Sequence, residues 1–165
     1  MPRVWTFGDD VDTDQIVPGR YAPYMRPDED VGKFAFIEAR PDFASDAAPG
    51  DVIVAGRNFG CGSSREYAVE ALVRRRVGAV VAASFARIFF RNSINLGLPL
   101  FVSDEVAAAA RDGDPAELDL ASGRLVVAGR DFVLPPPPPF VVEILGAGGI
   151  TAYVRRHGRF PGTGP

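Results

Sequence analysis

Cysteine, histidine and lysine occur once each in this chain of 165 residues, as Cys61, His157 and Lys33. One cysteine excludes an internal disulfide and agrees with a reducing compartment. The single histidine sits in an Arg-rich tail, so no histidine-built metal or catalytic centre is expected there. No apolar run approaches the ~20 residues that a bilayer requires. Basic residues are not in excess: the net charge is −3, which leaves no electrostatic footprint for nucleic acid or an anionic membrane. The opening Met-Pro-Arg-Val-Trp-Thr-Phe lacks the apolar core of a signal peptide, which points to the cytoplasm.

What remains is an ordinary globular mixture, 47% hydrophobic and 24% charged. The length suits one domain with its own core, taken here as residues 1–165, with the tail from about 157 expected to fray. That seventeen of the eighteen basic residues are arginine is read as a compositional habit, not as chemistry.

The stretch that organises the chain is Gly56-Arg-Asn-Phe-Gly-Cys-Gly-Ser-Ser-Arg-Glu-Tyr67. A buried strand is expected before it, over 51–55, and a helix after it, over 64–76. Glycines 56, 60 and 62 fit a tight strand-to-helix connection with outward-pointing amides. Ser63, Ser64 and Arg65 then fall at a helix N-terminus, where the dipole favours negative charge and an arginine can clamp a carboxylate. A small anionic substrate suits that combination. The plainer alternative is a capping box, Ser63-x-x-Glu66, in which the serine serves only the helix. Three familiar loops do not fit. No acidic residue follows at the distance a dinucleotide site needs, the one lysine is elsewhere, and Ser64 is followed by Arg65-Glu66, not by the x-Gly of a nucleophile elbow.

With Asp12-Thr-Asp-Gln-Ile16 upstream and Ser84-Phe-Ala-Arg-Ile88 downstream, Asn58-Phe-Gly-Cys-Gly-Ser-Ser-Arg-Glu66 resembles the small subunit of the aconitase superfamily. It is nearest to the short isopropylmalate dehydratase and homoaconitase small subunits of bacteria and archaea. The resemblance runs from Trp5 to about Tyr153. It implies a swivelling three-layer β/β/α fold, and the order of elements is compatible with it. A strand over Arg3–Phe7 is followed by the carboxylate-rich turn 8–14, which lacks the Gly and Glu of a calcium loop. A short helix is expected over 32–40, with Phe34, Ile37 and Phe36 as candidates for the core. Strands at 79–83 and 98–102 flank a helix from Phe85 to Leu96 capped by Ser84, and Gly78 is read as the stop of the preceding helix. Strand 51–55, helix 64–76 and strand 79–83 make a parallel βαβ core. Ser103 caps an Ala-rich helix, and three strands over 116–134 form a β-meander. Prolines 135–139 are a stiff spacer, with an SH3-type ligand as the alternative. One or two short helices broken at Gly148-Gly149 close the domain.

The resemblance also implies chemistry. These enzymes, lyases of amino-acid and in particular leucine biosynthesis, move a hydroxyl between adjacent carbons of a 2-hydroxy acid by dehydration and rehydration. Ser63 would be the base, Ser64 and Arg65 would bind carboxylate, and Asp14 matches an acidic active-site residue. The mobile stretch 18–30 would help to choose the substrate. Tyr24 and Met25 would meet an apolar group and Arg26 a third carboxylate, unless Arg26 points to solvent. The family's Lewis acid is a [4Fe–4S] cluster, which needs several thiolates. With Cys61 alone, this chain binds no cofactor, and the cluster is expected in a separate large subunit of a heteromer. Cys61 is read as inert packing, or as reactive if the helix end lowers its pKa. Arg87 and Arg91 could reach the site or face solvent. Isopropylmalate, a dicarboxylate, and homoaconitate, a tricarboxylate, remain rival substrates. A non-catalytic anion-binding or assembly module remains the rival of another class.

Overall fold

Short apolar runs with no polar alternation predict a sheet covered on both faces, and that is what forms. In the computed structural model, which describes residues 1–164, β1 (Val4–Thr6), β2 (Val52–Ala55), β3 (Ala79–Ala82) and β4 (Leu100–Val102) lie side by side in chain order, all parallel. Successive side chains alternate between the two faces. Trp5, Ile53, Ala55, Val80 and Ala82 join one core with Ala68 and Leu72 of α3 (Glu66–Arg74) and Phe89 of α4 (Arg87–Leu96). Val4, Val52, Val54, Ala79 and Val81 join the other, against α5 (Asp104–Ala109) and the meander β5 (Ala116–Asp119), β6 (Arg124–Val127) and β7 (Arg130–Val133). Helices, parallel sheet and antiparallel sheet thus make the expected three-layer β/β/α order with its parallel βαβ core.

The helix boundaries differ from expectation where they matter most. α3 begins at Glu66 with Arg65 as its N-cap and no side-chain cap, so the Ser63-x-x-Glu66 box does not form. A capping box does form in the loop after β1, where Asp12 accepts from the amide of Gln15 at 2.8 Å and the Gln15 side chain accepts from the amide of Asp12 at 3.0 Å. It starts α1 (Thr13–Ile16). α4 begins at Arg87, not Phe85, and Ser84 does not cap it. Gly78 is no helix stop either. Arg76 adopts the left-handed turn at φ 58°, whereas Gly78 lies where a Cβ would meet the Gly50 carbonyl oxygen at 2.6 Å. The expected helix over 32–40 is only a 3₁₀ turn, Val31–Phe34, and α2 (Pro41–Asp46) follows it with proline in its first turn. Phe34 and Phe36 are buried, and Ile37 is half-buried against the same core. Two C-terminal helices, α6 (Pro139–Ala147) and α7 (Ile150–His157), are separated by Gly148-Gly149 as expected. The last residue of the tail, Pro165, lies outside the described residues.

One buried carboxylate that the sequence did not single out ties β1 to β2. Asp51 accepts from the Trp5 indole at 2.7 Å, from the Arg3 amide at 2.9 Å and from the Ala48 amide at 2.9 Å. It is buried together with the Trp5 ring. Asp51→Ala would orphan three donors at about 1–3 kcal/mol each, so a loss of about 3 kcal/mol or more is expected in urea unfolding. A loss under about 1 kcal/mol would mean that water replaces the carboxylate without penalty.

Candidate active site

Three separate stretches of sequence are laced into one wall beyond the ends of β2 and β3. The Gly60 amide donates to the Val11 carbonyl at 2.7 Å, and the Thr13 amide donates to the Cys61 carbonyl at 2.9 Å. Phe59 and Phe85 bridge in parallel, with the Phe59 amide on the Ser84 carbonyl at 3.1 Å and the Ala86 amide on the Phe59 carbonyl at 2.9 Å. Asn58 holds a left-handed turn at φ 60°, its amide donating to Ser84 Oγ at 2.8 Å and its side chain to Asp10 at 3.0 Å. Ser84 therefore anchors the loop, which is the work it does in place of capping. Gly60 is required twice over: φ is +82°, and a Cβ there would fall 2.1 Å from the Phe89 ring.

This lacing aims Ser63, Ser64 and Arg65 into a cleft of about 690 Å³, faced by Arg87, Arg91 and Asn92 of α4. Thr13 fixes the approach, its hydroxyl donating to the Ser63 carbonyl at 2.8 Å. Because α3 starts at Glu66, the Ser63 hydroxyl is not spent on a cap. The Glu66 and Tyr67 amides at the start of α3 precede its first hydrogen bond, made by the Ala68 amide to the Arg65 carbonyl at 3.1 Å, and they lie just beyond the two serines. Three guanidinium groups and no carboxylate line the cleft, so it is built for an anion.

Arg65 is the most closely held of the three. Its Nη1 forms an ion pair with Asp14, which supplies the partner of Asp14 that sequence alone left unnamed. Gly19 lies beneath it, where a Cβ would stand 3.2 Å from Nη1, and the guanidinium carbon lies 5.9 Å from the centre of the Tyr67 ring. Burial pushes the Tyr67 phenol up, and Arg65 opposes the shift.

A family profile described as the aconitase C-terminal domain matches residues 12–105, the span that contains the loop, the start of α4 and the first laced stretch from Asp12 onward. The chain belongs to that family. It is similar to the homoaconitase small subunit of Thermus thermophilus, 54% identical over 162 residues, or 98% of this chain and 99% of that one. It is similar to a 3-isopropylmalate dehydratase small subunit of Deinococcus radiodurans, 49% identical over 165 residues, or 100% of this chain and 93% of that one. A crystal structure described as 3-isopropylmalate dehydratase of Methanocaldococcus jannaschii superposes with a TM-score of 0.85 at 40% identity, covering 95% of this chain and 93% of that one.

Within this aconitase-family site, the residues foreseen from sequence fall into two groups. Asn58, Gly60, Gly62, Ser63, Ser64 and Arg65 line the cleft, and Asp14 stands behind it on Arg65. Tyr24, Met25 and Arg26 do not line it. Tyr24 and Met25 are exposed, Tyr24 meets Tyr67 edge-on at 6.3 Å, and Arg26 pairs with Glu29 at 2.9 Å above the Tyr21 and Phe34 rings. Thr13 and Asn92 were missed, and Arg87 and Arg91 were left undecided. Their only signal was the placement of α4 beside the loop. Cys61 is not activated: burial pushes its thiol up, and the carboxylates of Asp12 and Asp10 push the same way. The helix end expected beside it starts five residues later, at Glu66.

Proposed function

We propose that this chain is the small subunit of a 3-isopropylmalate dehydratase, interconverting 2- and 3-isopropylmalate by dehydration and rehydration in leucine biosynthesis. The observation that carries the proposal is the cleft itself, where a serine hydroxyl free of capping duty faces three guanidinium groups. A serine hydroxyl is a weak acid, so a base at Ser63 Oγ needs a strongly positive field. Arg65, Arg87, Arg91 and the amides at the start of α3 supply one. Ser63 Oγ takes the proton from the carbon next to the hydroxyl-bearing carbon, and returns it there or on the adjacent carbon in the reverse step. Ser64 and Arg65 hold a substrate carboxylate. Ile88, 53% exposed, and Phe85 give the cleft an apolar side that suits the isopropyl group.

The departing hydroxide needs an acceptor that this chain does not provide. The residues present do not fit an iron–sulfur cluster: Cys61 is the one thiol, and among the described residues no three His, Cys, Asp or Glu side chains converge as a metal site. The cluster belongs, in this reading, to a large, cysteine-bearing partner subunit. No helix among the described residues is long and apolar enough to cross a membrane; the single cysteine agrees with a cytoplasmic setting, and the small-subunit names of this chain's relatives support a heteromer. The purified chain should be colourless and inactive, gaining isopropylmalate turnover with the large subunit under anaerobic conditions. Iron–sulfur absorbance or turnover from the chain alone would overturn this division. An unrelated co-purifying partner would favour the binding-module reading.

The identity to a homoaconitase small subunit favours one second reading, a tricarboxylate substrate. The loop residue Arg26 discriminates the two if the loop turns inward around bound substrate, exchanging Glu29 for the third carboxylate. Arg26→Ala should then lower kcat/KM for homoaconitate by about tenfold or more and leave isopropylmalate nearly unchanged. An equal effect on both substrates would remove Arg26 from discrimination. A wild type inactive on isopropylmalate would move the assignment to homoaconitase.

A further inference from the structure

We propose that a continuous strip, from the mouth of the cleft across α4 to an apolar groove beside β4, is the surface on which the large dehydratase subunit seats. The proposal rests on the function argued above. The cleft and its neighbouring depression share Phe85, Arg87 and Arg91, and that depression shares Phe90 and Val102 with the groove. The three are one surface.

The groove is formed where the parallel sheet ends. β4 is an outer strand, and its Leu100, Phe101 and Val102 form one side, with Ile94 of α4 and the prolines 135–138 around it. Val102 is 47% exposed and Phe140, at the start of α6, is 50% exposed. An exposed apolar depression of this kind marks an interaction site. The proline run is already rigid, so covering it costs little conformational entropy.

Charge and incompleteness select the occupant. Arg87 and Arg91 stand one turn apart on the exposed side of α4, and neither takes part in an ion pair among the described residues. No Asp or Glu lines any of the three depressions. A second copy of this chain, paired strip to strip, would bring more arginine and no carboxylate. The acceptor for the departing hydroxide must enter at the mouth of the cleft from another chain. A chain that seals this mouth meets Arg87 and Arg91 at once, and the groove begins one side chain further on. The partner surface that fits brings no further arginine to the mouth, leaves Arg87 and Arg91 to the anion in the cleft, and carries an apolar side chain for the groove.

The test uses positions remote from the chemistry. Phe140→Glu and the milder Phe140→Ser are titrated into a fixed amount of cluster-loaded large subunit, with Val133→Glu on the exposed face of β7 as the control. For both Phe140 variants the concentration giving half-maximal activity should rise, by about tenfold or more for the glutamate, with the plateau rate unchanged. Circular dichroism and the thermal midpoint of each variant should match the wild type. If the wild type activates and Phe140→Glu activates at the same concentration, the strip is not the docking surface. A change seen only in self-association of the lone chain by sedimentation would overturn it equally. A wild type that never confers activity would instead defeat the dehydratase reading beneath it.

Discussion

Replacing Ser63 by alanine is expected to cut turnover of the reconstituted enzyme by about 10⁴-fold or more, the upper end of what a positioned general base contributes. Folding and subunit assembly should be unaffected. The two halves of that statement are separable because of where α3 begins. Had Ser63 capped the helix, its loss would cost about 1 kcal/mol of stability and blur the comparison. With Arg65 as the N-cap and no side-chain cap at all, the hydroxyl has no helical duty to lose. What holds Ser63 in place is its backbone carbonyl, which accepts from Thr13 Oγ1 at 2.8 Å, and alanine keeps that carbonyl. The stability change should therefore stay within about 0.5 kcal/mol, the range of surface substitutions. Turnover of isopropylmalate and the thermal midpoint, measured on the same preparation, decide the matter. A stably assembled mutant with near-normal turnover would end the assignment of Ser63 as base, whatever else the cleft binds.

The layers of the fold were legible because their signals are local. Runs such as Val52-Ile-Val-Ala55 and Ala79-Val-Val-Ala82 can only be strands between two covered faces, and the helix formers after Glu66 leave little alternative. The helix starts were not legible. Asp12-x-x-Gln15 and Ser63-x-x-Glu66 both satisfy the pattern of a capping box, and only the first one forms. The difference is tertiary. Gly60 and Cys61 are drawn into backbone bonds with Val11 and Thr13, so the chain bends at Gly62 and Ser63, is extended at Arg65 and enters the helix only at Glu66. Ser84 is misread for the same reason, since its hydroxyl is taken by the Asn58 amide. The arginines of α4 could not be assigned from spacing because nothing local says which side of a helix faces a loop 25 residues earlier. Asp14 was found through resemblance, but its partner, Arg65, appears only when the two loops are side by side.

That pairing makes Arg65→Lys the second large loss to expect. Lysine preserves the charge, so the experiment asks whether shape matters. Arg65 has to satisfy Asp14 with Nη1 and still present donors to a substrate carboxylate, which a planar fork of five N–H groups can do and a single ammonium cannot. Its space is shaped for the fork as well, with Gly19 directly beneath Nη1 and Tyr67 beside it. A lysine that stays with Asp14 gives up the substrate; one that turns to the substrate leaves Asp14 facing it, a carboxylate against a carboxylate. Losing the charged, bidentate contact to the substrate while disturbing the ion pair with Asp14 costs about 3–4 kcal/mol, so kcat/KM should fall by roughly 10²–10³-fold, with much of the loss in KM. Stability gives the contrast. Asp14 is more than half exposed, and an ion pair of that kind contributes at most about 1 kcal/mol, which lysine partly retains. The midpoint of unfolding should hardly move. If Arg65 served only to brace Asp14, Arg65→Lys would lose little activity and Asp14→Asn would reproduce that small loss. If Arg65 clamps the substrate, Arg65→Lys should lose far more than Asp14→Asn, because asparagine still gives the guanidinium a carbonyl to rest on. A kcat/KM for Arg65→Lys within about threefold of wild type would remove Arg65 from substrate binding, since a bidentate charged contact is worth more than that.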